Sequence, residues 1–176
     1  MLNADQIVQR GYLKLDESKG KPAQVGYDLS LKSVNRVGNQ IGSSNTMYTE
    51  GQIGKVLADK TVLTTYRPVD TIMLEGNEGW LLHPGAYDVT MWEGCKIPAD
   101  HVAFIRQRSS LLRNGALIHS SVFDPGFETE NIGTILFVHE PLFIEVNARI
   151  AQIYFHPCEE VDELYDGQWQ GDKQRK

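Results

Sequence analysis

The residues best suited to chemistry lie between Arg108 and Phe127. Arg108-Ser109-Ser110-Leu111-Leu112-Arg113-Asn114-Gly115 sets two guanidiniums and two hydroxyls within six positions. Guanidiniums are planar, permanently charged donor forks and hydroxyls add short donors, so the set suits the oxygens of a triphosphate. The same residues read equally well as a solvated arginine turn. A little further on comes Ser120-Ser121-Val122-Phe123-Asp124-Pro125-Gly126-Phe127. Its alternating run from Ile118 to Phe123 ends in Asp-Pro-Gly, where Pro fixes φ and Gly accepts φ > 0, the composition of a hairpin turn. Asp124 is by itself a turn former, and its case as a functional carboxylate rests on its neighbours.

Several common machines are excluded. No GxxxxGK[ST] loop wraps a phosphate chain, residues 51–55 being too short, and no GxGxxG opens a helix. A zinc-dependent base deaminase needs His-x-Glu followed by Pro-Cys-x-x-Cys. Here Pro157-Cys158 runs into Glu159-Glu160-Val161, and none of the five histidines has Glu two residues later. No GxSxG elbow supports a serine hydrolase. Cys95 and Cys158 are too few for a disulfide scaffold and are not spaced as a metal knuckle, so both read as ordinary thiols.

The elements that must position these residues are mostly strands. Asn3 can cap a short helix over residues 4–10, whose apolar face is Ile7 and Val8. Beyond it, β-rich runs bounded by Gly, Pro, Asn and Asp recur at 26–31, 61–66, 71–74, 80–82, 87–92, 102–106, 133–138, 142–146 and 149–155. Many short strands at such spacing predict an all-β sandwich, jelly roll or barrel. Residues 34–54, rich in Gly, Asn and Ser, read as a loop or insertion, and the polar tail from residue 165 reads as mobile unless something docks it.

The chain has 176 residues, a length suited to one domain, with 17 Lys+Arg against 23 Asp+Glu and a net charge of −6. That balance argues against a nucleic-acid binder, which needs a basic stripe. Yet Arg106, Arg108 and Arg113 fall within eight residues, a distribution suited to one free triphosphate. No apolar run approaches the ~18–20 residues that span a bilayer, and the first residues lack a signal-peptide pattern. The expected location is the cytoplasm, or the host cytoplasm for a viral source.

Taken in order, these motifs resemble the trimeric dUTPase and dCTP deaminase superfamily. RSSLxRxG is Arg108 to Gly115 with deaminase-type spacing, and Asp-Pro-Gly-aromatic is Asp124 to Phe127. Gly26-Tyr27-Asp28-Leu29 is similar to the early Gly-x-Asp-Leu element, and Arg149-Ile150-Ala151-Gln152 to the late Arg-Ile-Ala-Gln strand. MLNADQIVQRGYL resembles the deaminase-type N-terminal helix, and Tyr165 to Gly171 the C-terminal lid. Pro84-Gly85-Ala86-Tyr87 and Ile97-Pro98 fall where the family has its pre-motif strands.

The resemblance implies a mainly β, jelly-roll-like or distorted β-barrel subunit with a short N-terminal helix, one domain over residues 1–176 with a mobile lid at 164–176. It also implies a homotrimer with active sites shared between subunits, acting on a deoxypyrimidine triphosphate with Mg²⁺ carried by the phosphates rather than by protein ligands. Arg108, Ser109, Ser110, Arg113 and Gln152 would hold the phosphates. Ser120 and Ser121 would lie on the base-reading hairpin, and Phe127 would pack on the deoxyribose. Asp28 would support the phosphate region, and Tyr165 and Gln170 would come with the lid.

The family runs two reactions. Hydrolysis of dUTP to dUMP and pyrophosphate needs a carboxylate to activate water, for which Asp124 is the candidate. Deamination of dCTP needs in addition a Glu to shuttle protons, about ten residues beyond the Asp. That count reaches Thr134, and alignment on Gly133 reaches Val138; neither side chain can move a proton at neutral pH. Hydrolysis is therefore expected, with dCTP deamination or a nucleotide-binding regulator of little turnover as alternatives. Glu128, Glu130 and Glu140 are the nearest carboxylates that could substitute, all in expected turns. The lid has Gln168 where a basic residue is usual, and Lys173, Arg175 and Lys176 could supply charge instead.

Overall fold

A computed structural model of the chain describes residues 1–41, 62–167 and 169–172. In chain order the elements are α1 (Ala4–Gln9), β1 (Leu13–Lys14), β2 (Lys21–Pro22), β3 (Tyr27–Ile41), β4 (Val62–Pro68), β5 (Ile72–Leu74), β6 (Asn77–Leu82) and β7 (Gly85–Met91). They continue with β8 (Gly94–Lys96), β9 (His101–Gln107), α2 (Ser109–Arg113), β10 (Ala116–His119), β11 (Glu128–Thr129), β12 (Gly133–Val138), β13 (Leu142–Glu145), β14 (Arg149–Pro157) and a 3-10 turn at Gln170–Asp172. The chain is mainly β with a short N-terminal helix, as its run of short strands predicts.

α1 starts where Asn3 caps it. The Asn3 side chain accepts from the Gln6 amide at 2.9 Å and the Gln6 side chain accepts from the Asn3 amide at 3.0 Å, a reciprocal capping box. Ile7 on its inner face is fully buried.

The principal sheet has the order β10-β12-β7-β3-β14-β9, with β2 and β4 also paired to β3. Alternate residues fill the interior: Tyr87, Val89 and Met91 from β7, Thr134, Leu136 and Val138 from β12, and Ile153 and Phe155 from β14. Where the path runs out at β10, Phe123 makes an antiparallel bridge to Ala103 on β9, the opposite end of the same sheet. The sheet thereby curls into a nearly closed barrel.

Two segments depart from the sequence reading. Residues 34–41 are strand rather than loop: β3 carries on to Ile41, pairing with β7 on one side and β4 on the other. Their polar composition hid this, since pairing with β7 up to Arg36 and with β4 from Asn35 to Ile41 holds a strand whose own propensity is weak; the rest of that predicted loop, 42–54, lies outside the described residues. The arginine motif is a short helix, α2, with Leu111 turned into the core and Gly115 taking φ +74° just beyond its end.

One buried carboxylate ties the N-terminal strap to the barrel. Glu93, with no solvent exposure, accepts from Ser18 Oγ at 2.6 Å, the Gly20 amide at 3.0 Å, the Ser30 amide at 2.8 Å and Ser30 Oγ at 2.7 Å. Those donors substitute for the water it loses. Cys95 is buried and Cys158 half-buried, both unbridged.

Candidate active site

The expected site residues fall into two regions. The first is the seam between α2 and the β3–β14–β9 part of the sheet. Backbone pairing places Gln152 beside Asp28 on one side and Arg106 on the other. Asp28 Oδ2 receives Arg108 Nε at 3.2 Å and Arg149 Nη1 at 3.1 Å, while Arg108 Nη1 donates to the Arg149 carbonyl at 3.2 Å. The Asp28 side chain is 10% exposed and the two arginines about a third exposed. One carboxylate thus orients two guanidiniums that keep open faces. The start of α2 is pinned as well, because the Arg108 amide donates to the Ile150 carbonyl at 2.9 Å. Ser109, Ser110 and Arg113 are exposed beside it. Gln152 donates its amide to the Val25 carbonyl, so that end of its side chain is already engaged.

The second region is the hairpin of β10 and β12. Its rungs run from Ala116 opposite Val138 to His119 opposite Ile135. Beyond His119 the arms part: Ser120, Ser121 and Val122 belong to no strand, Phe123 bridges to β9, and the other arm pairs through Glu128 and Thr129 with β8. A cavity of about 530 Å³ opens in the splayed mouth. Ser120, Ser121, Asp124, Phe127 and Tyr165 all line it. Its aromatic wall is continuous: Phe123 and Phe127 stack at 5.3 Å, and Tyr165 stands edge-on to Phe127 at 5.5 Å. The cavity thus combines an aromatic wall with hydroxyl, amide and carboxylate groups, Asp124 exposed at its turn, a lining with the mixed character of small-molecule sites.

The lining also contains residues that spacing did not single out. Asp88 enters because β7 pairs with β12, which sets it beside Ile135 in the same outward row as His119. Asn131 and Trp169 line the cavity too. Asn131 accepts from Lys32 Nζ at 3.1 Å and donates to the Trp92 carbonyl at 3.1 Å. Alternation along β7 was readable in the sequence; which neighbour its outer face would meet was not.

Of the two positions aligned with the deaminase Glu, Thr134 borders the cavity, and its hydroxyl donates to the His119 carbonyl at 2.9 Å. Val138 is buried at the far end of the hairpin. Glu128 and Glu130 do not line the cavity, because Lys14 Nζ holds them at 2.6 and 2.5 Å on the other side of the strand from Thr129. The Lys14 hydrogen bond holds the Glu128 carboxyl below its ordinary pKa despite partial desolvation. Desolvation opposes the charge on Lys14, yet the two carboxylates prevail and raise its pKa. Glu140 is exposed in the turn after β12. Gln170 is occupied by its own hairpin, and Gln168 and residues 173–176 lie outside the described residues.

Fold and site together define a β-barrel protein with an aromatic-walled cavity and a separate cluster of oriented arginines. The chain belongs to the family described as dCTP deaminase-like, whose model matches residues 4–158. It is 37% identical over 113 residues to the deoxyuridine 5'-triphosphate nucleotidohydrolase of Methanocaldococcus jannaschii, covering 64% of this chain and 70% of that protein. It is 31% identical over 120 residues to a probable deoxyuridine 5'-triphosphate nucleotidohydrolase of Halobacterium salinarum, covering 68% and 69%. It is also 33% identical over 106 residues to a dUMP-forming dCTP deaminase of Methanosphaera stadtmanae, covering 55% and 50%. The crystal structure of the 2'-deoxycytidine 5'-triphosphate deaminase from Agrobacterium tumefaciens matches with a TM-score of 0.55 at 19% identity, over 88% of this chain and 46% of that one, a likeness of fold.

Proposed function

We propose that the protein hydrolyses a deoxypyrimidine triphosphate, dUTP in the first instance, to the monophosphate and pyrophosphate. The observation that carries this reading is the cavity itself: an exposed Asp124 at its turn, and Thr134 at the position where proton shuttling to a ring would need an acid. The names of the archaeal nucleotidohydrolases support it. In this reading the ring enters between the parted hairpin arms, where the backbone of residues 120–122 reads its edge, and Phe127 covers the sugar. Asp124 takes a proton from the attacking water. Arg108, Arg113 and the Ser109 and Ser110 hydroxyls bind phosphate oxygens and absorb charge as the anhydride breaks, with Gln152 at their edge.

None of these phosphate-binding residues lines the cavity of its own chain. That separation supports a homotrimer in which the hairpin of one subunit faces the arginines of the next. Mg²⁺ fits as a passenger of the triphosphate. Among the described residues no group of three or more His, Cys, Asp or Glu side chains could hold a metal, and Asp28 is committed to two arginines. Phosphate oxygens and water would be its donors, as is usual for this ion, and it would neutralise phosphate charge.

Asp88 favours a second reading, deamination of dCTP, because it is a second carboxylate on the cavity lining. The deciding experiment incubates the protein with dUTP, dCTP, dTTP and their ribose counterparts in Mg²⁺ and separates products by chromatography. The expected result is dUMP and pyrophosphate from dUTP, with the ribose nucleotides spared. Ammonia released from dCTP with no pyrophosphate from dUTP would sink the hydrolase assignment, and binding without turnover would mark a regulator.

A further inference from the structure

The C-terminal segment crosses the turn of its own hairpin and is fastened there by one side chain. The Tyr165 amide donates to the Pro125 carbonyl at 2.8 Å. Next, Gln170 spans two residues of the opposite backbone: its Oε1 accepts from the Glu128 amide at 3.0 Å and its Nε2 donates to the Gly126 carbonyl at 2.9 Å. A donor and an acceptor set against residues two apart reproduce the N–H and C=O that a single residue of a parallel neighbouring strand would offer. β11 pairs with β8 and ends its sheet among the described residues, and Gln170 bonds the backbone on its free side. The turn is shaped to receive the segment: Gly126, at φ +87°, leaves room for Leu164, whose Cβ would stand 2.6 Å from any Cβ added there.

We infer that Gln170 is a positioning residue, a side-chain latch that sets the register of the C-terminal segment on the hairpin of the same chain so that Tyr165 and Trp169 wall the cavity. The Trp169 amide in turn donates to Tyr165 Oη at 3.4 Å, which links the latch to the aromatic wall. The role requires a carboxamide of this length. Glu would place a second acceptor against the Gly126 carbonyl, Met would fill the space without either bond, and Asn would fall one methylene short. The catalytic consequence rests on the reading that the cavity takes the pyrimidine; the latch itself does not.

The test therefore starts without nucleotide. Acrylamide quenching of Trp169 is isolated by difference against Trp169→Phe, which keeps the buried Trp80 and the half-buried Trp92 as a common background. In Gln170→Met and Gln170→Glu, Trp169 is expected to become about two- to threefold more accessible, and proteolysis around residues 161–167 to accelerate, with an unchanged melting midpoint. KM for the accepted nucleotide should rise roughly tenfold with kcat lowered less than about threefold, and Gln170→Asn should fall between. Unchanged quenching and proteolysis in both variants would overturn the latch, and a raised KM alongside them would return Gln170 to direct substrate contact. Absence of turnover on every nucleotide would count against the functional reading and leave the quenching result to judge the latch.

Discussion

The arginine seam and the splayed hairpin are built in opposite ways. In the seam most of the expected site residues sit in one short run, Arg108 to Arg113, and one buried carboxylate, Asp28, orients Arg108 together with the sequence-distant Arg149. In the hairpin, the walls come from β4, β7, both arms of the β10–β12 connection and the C-terminal segment, and what shapes the slot is a pairing that stops. The seam supplies fixed positive charge; the hairpin supplies shape and one exposed carboxylate. On the proposed function, a charge cluster that grips phosphate gains from rigid orientation, while a slot that admits and releases a ring gains from an unpaired backbone.

The largest effect should come from removing the chemistry of the hairpin while leaving the seam intact. Asp124→Asn is expected to lower kcat by ~10²–10⁴, with nucleotide affinity retained in equilibrium dialysis. An unaltered rate would move the base elsewhere, Asp88 being the first alternative. Next comes a mixing experiment that tests whether the two regions serve each other across subunits. Asp124→Asn and Arg108→Ala chains, each inactive alone, would be unfolded and refolded together. Random assortment should restore roughly a quarter of the sites if each takes its hairpin and its arginines from different chains. No recovery on mixing would place both regions of a site on one chain. Substitution of Asp88 should change preference more than rate: Asp88→Ala is expected to shift the dUTP to dCTP ratio of kcat/KM by about 10-fold, the scale of a single hydrogen bond to the ring that one base makes and the other misses.

How much of this was legible in the sequence follows the same division. Arg108 to Gly115 and Asp124 to Phe127 stand out because their spacing is local, and the alternating runs gave β12 its bounds of Gly133–Val138. Asn3 capped the helix it was expected to cap. Residues 34–41 escaped because Asn, Arg, Gly and Gln carry little strand preference; pairing with β7 as far as Arg36 and with β4 from Asn35 onward, not composition, makes them strand. Asp88, Asn131 and Trp169 escaped for another reason, since only register and the crossing of the C-terminal segment bring them to the cavity. Asp28 was expected near the phosphates, but its double arginine bridge depends on β3 lying against β14, which no local pattern encodes.

The smallest expected effect concerns the clamp behind the hairpin. Lys14 joins Glu128 and Glu130, and Lys96 reaches Glu128 at 3.8 Å, so the arm opposite Asp124 is held by charge. Glu128 titrates below its ordinary value in the folded chain, so its contribution is present above the unfolded pKa and is lost as pH falls through the folded one. Lys14 titrates above its ordinary value, so its contribution is present below the unfolded pKa and is lost as pH rises through the folded one. The clamp therefore weakens at both extremes and is whole between them. Glu128 is 37% exposed, and solvent screening limits the gain to about 0.2–1 kcal/mol. Lys14→Met should flatten the melting midpoint on both the acid and alkaline limbs and lower it slightly at neutral pH. If the variant keeps the parent's acid slope, the carboxylate shift has another source, and the hairpin arm is held by its pairing with β8 alone.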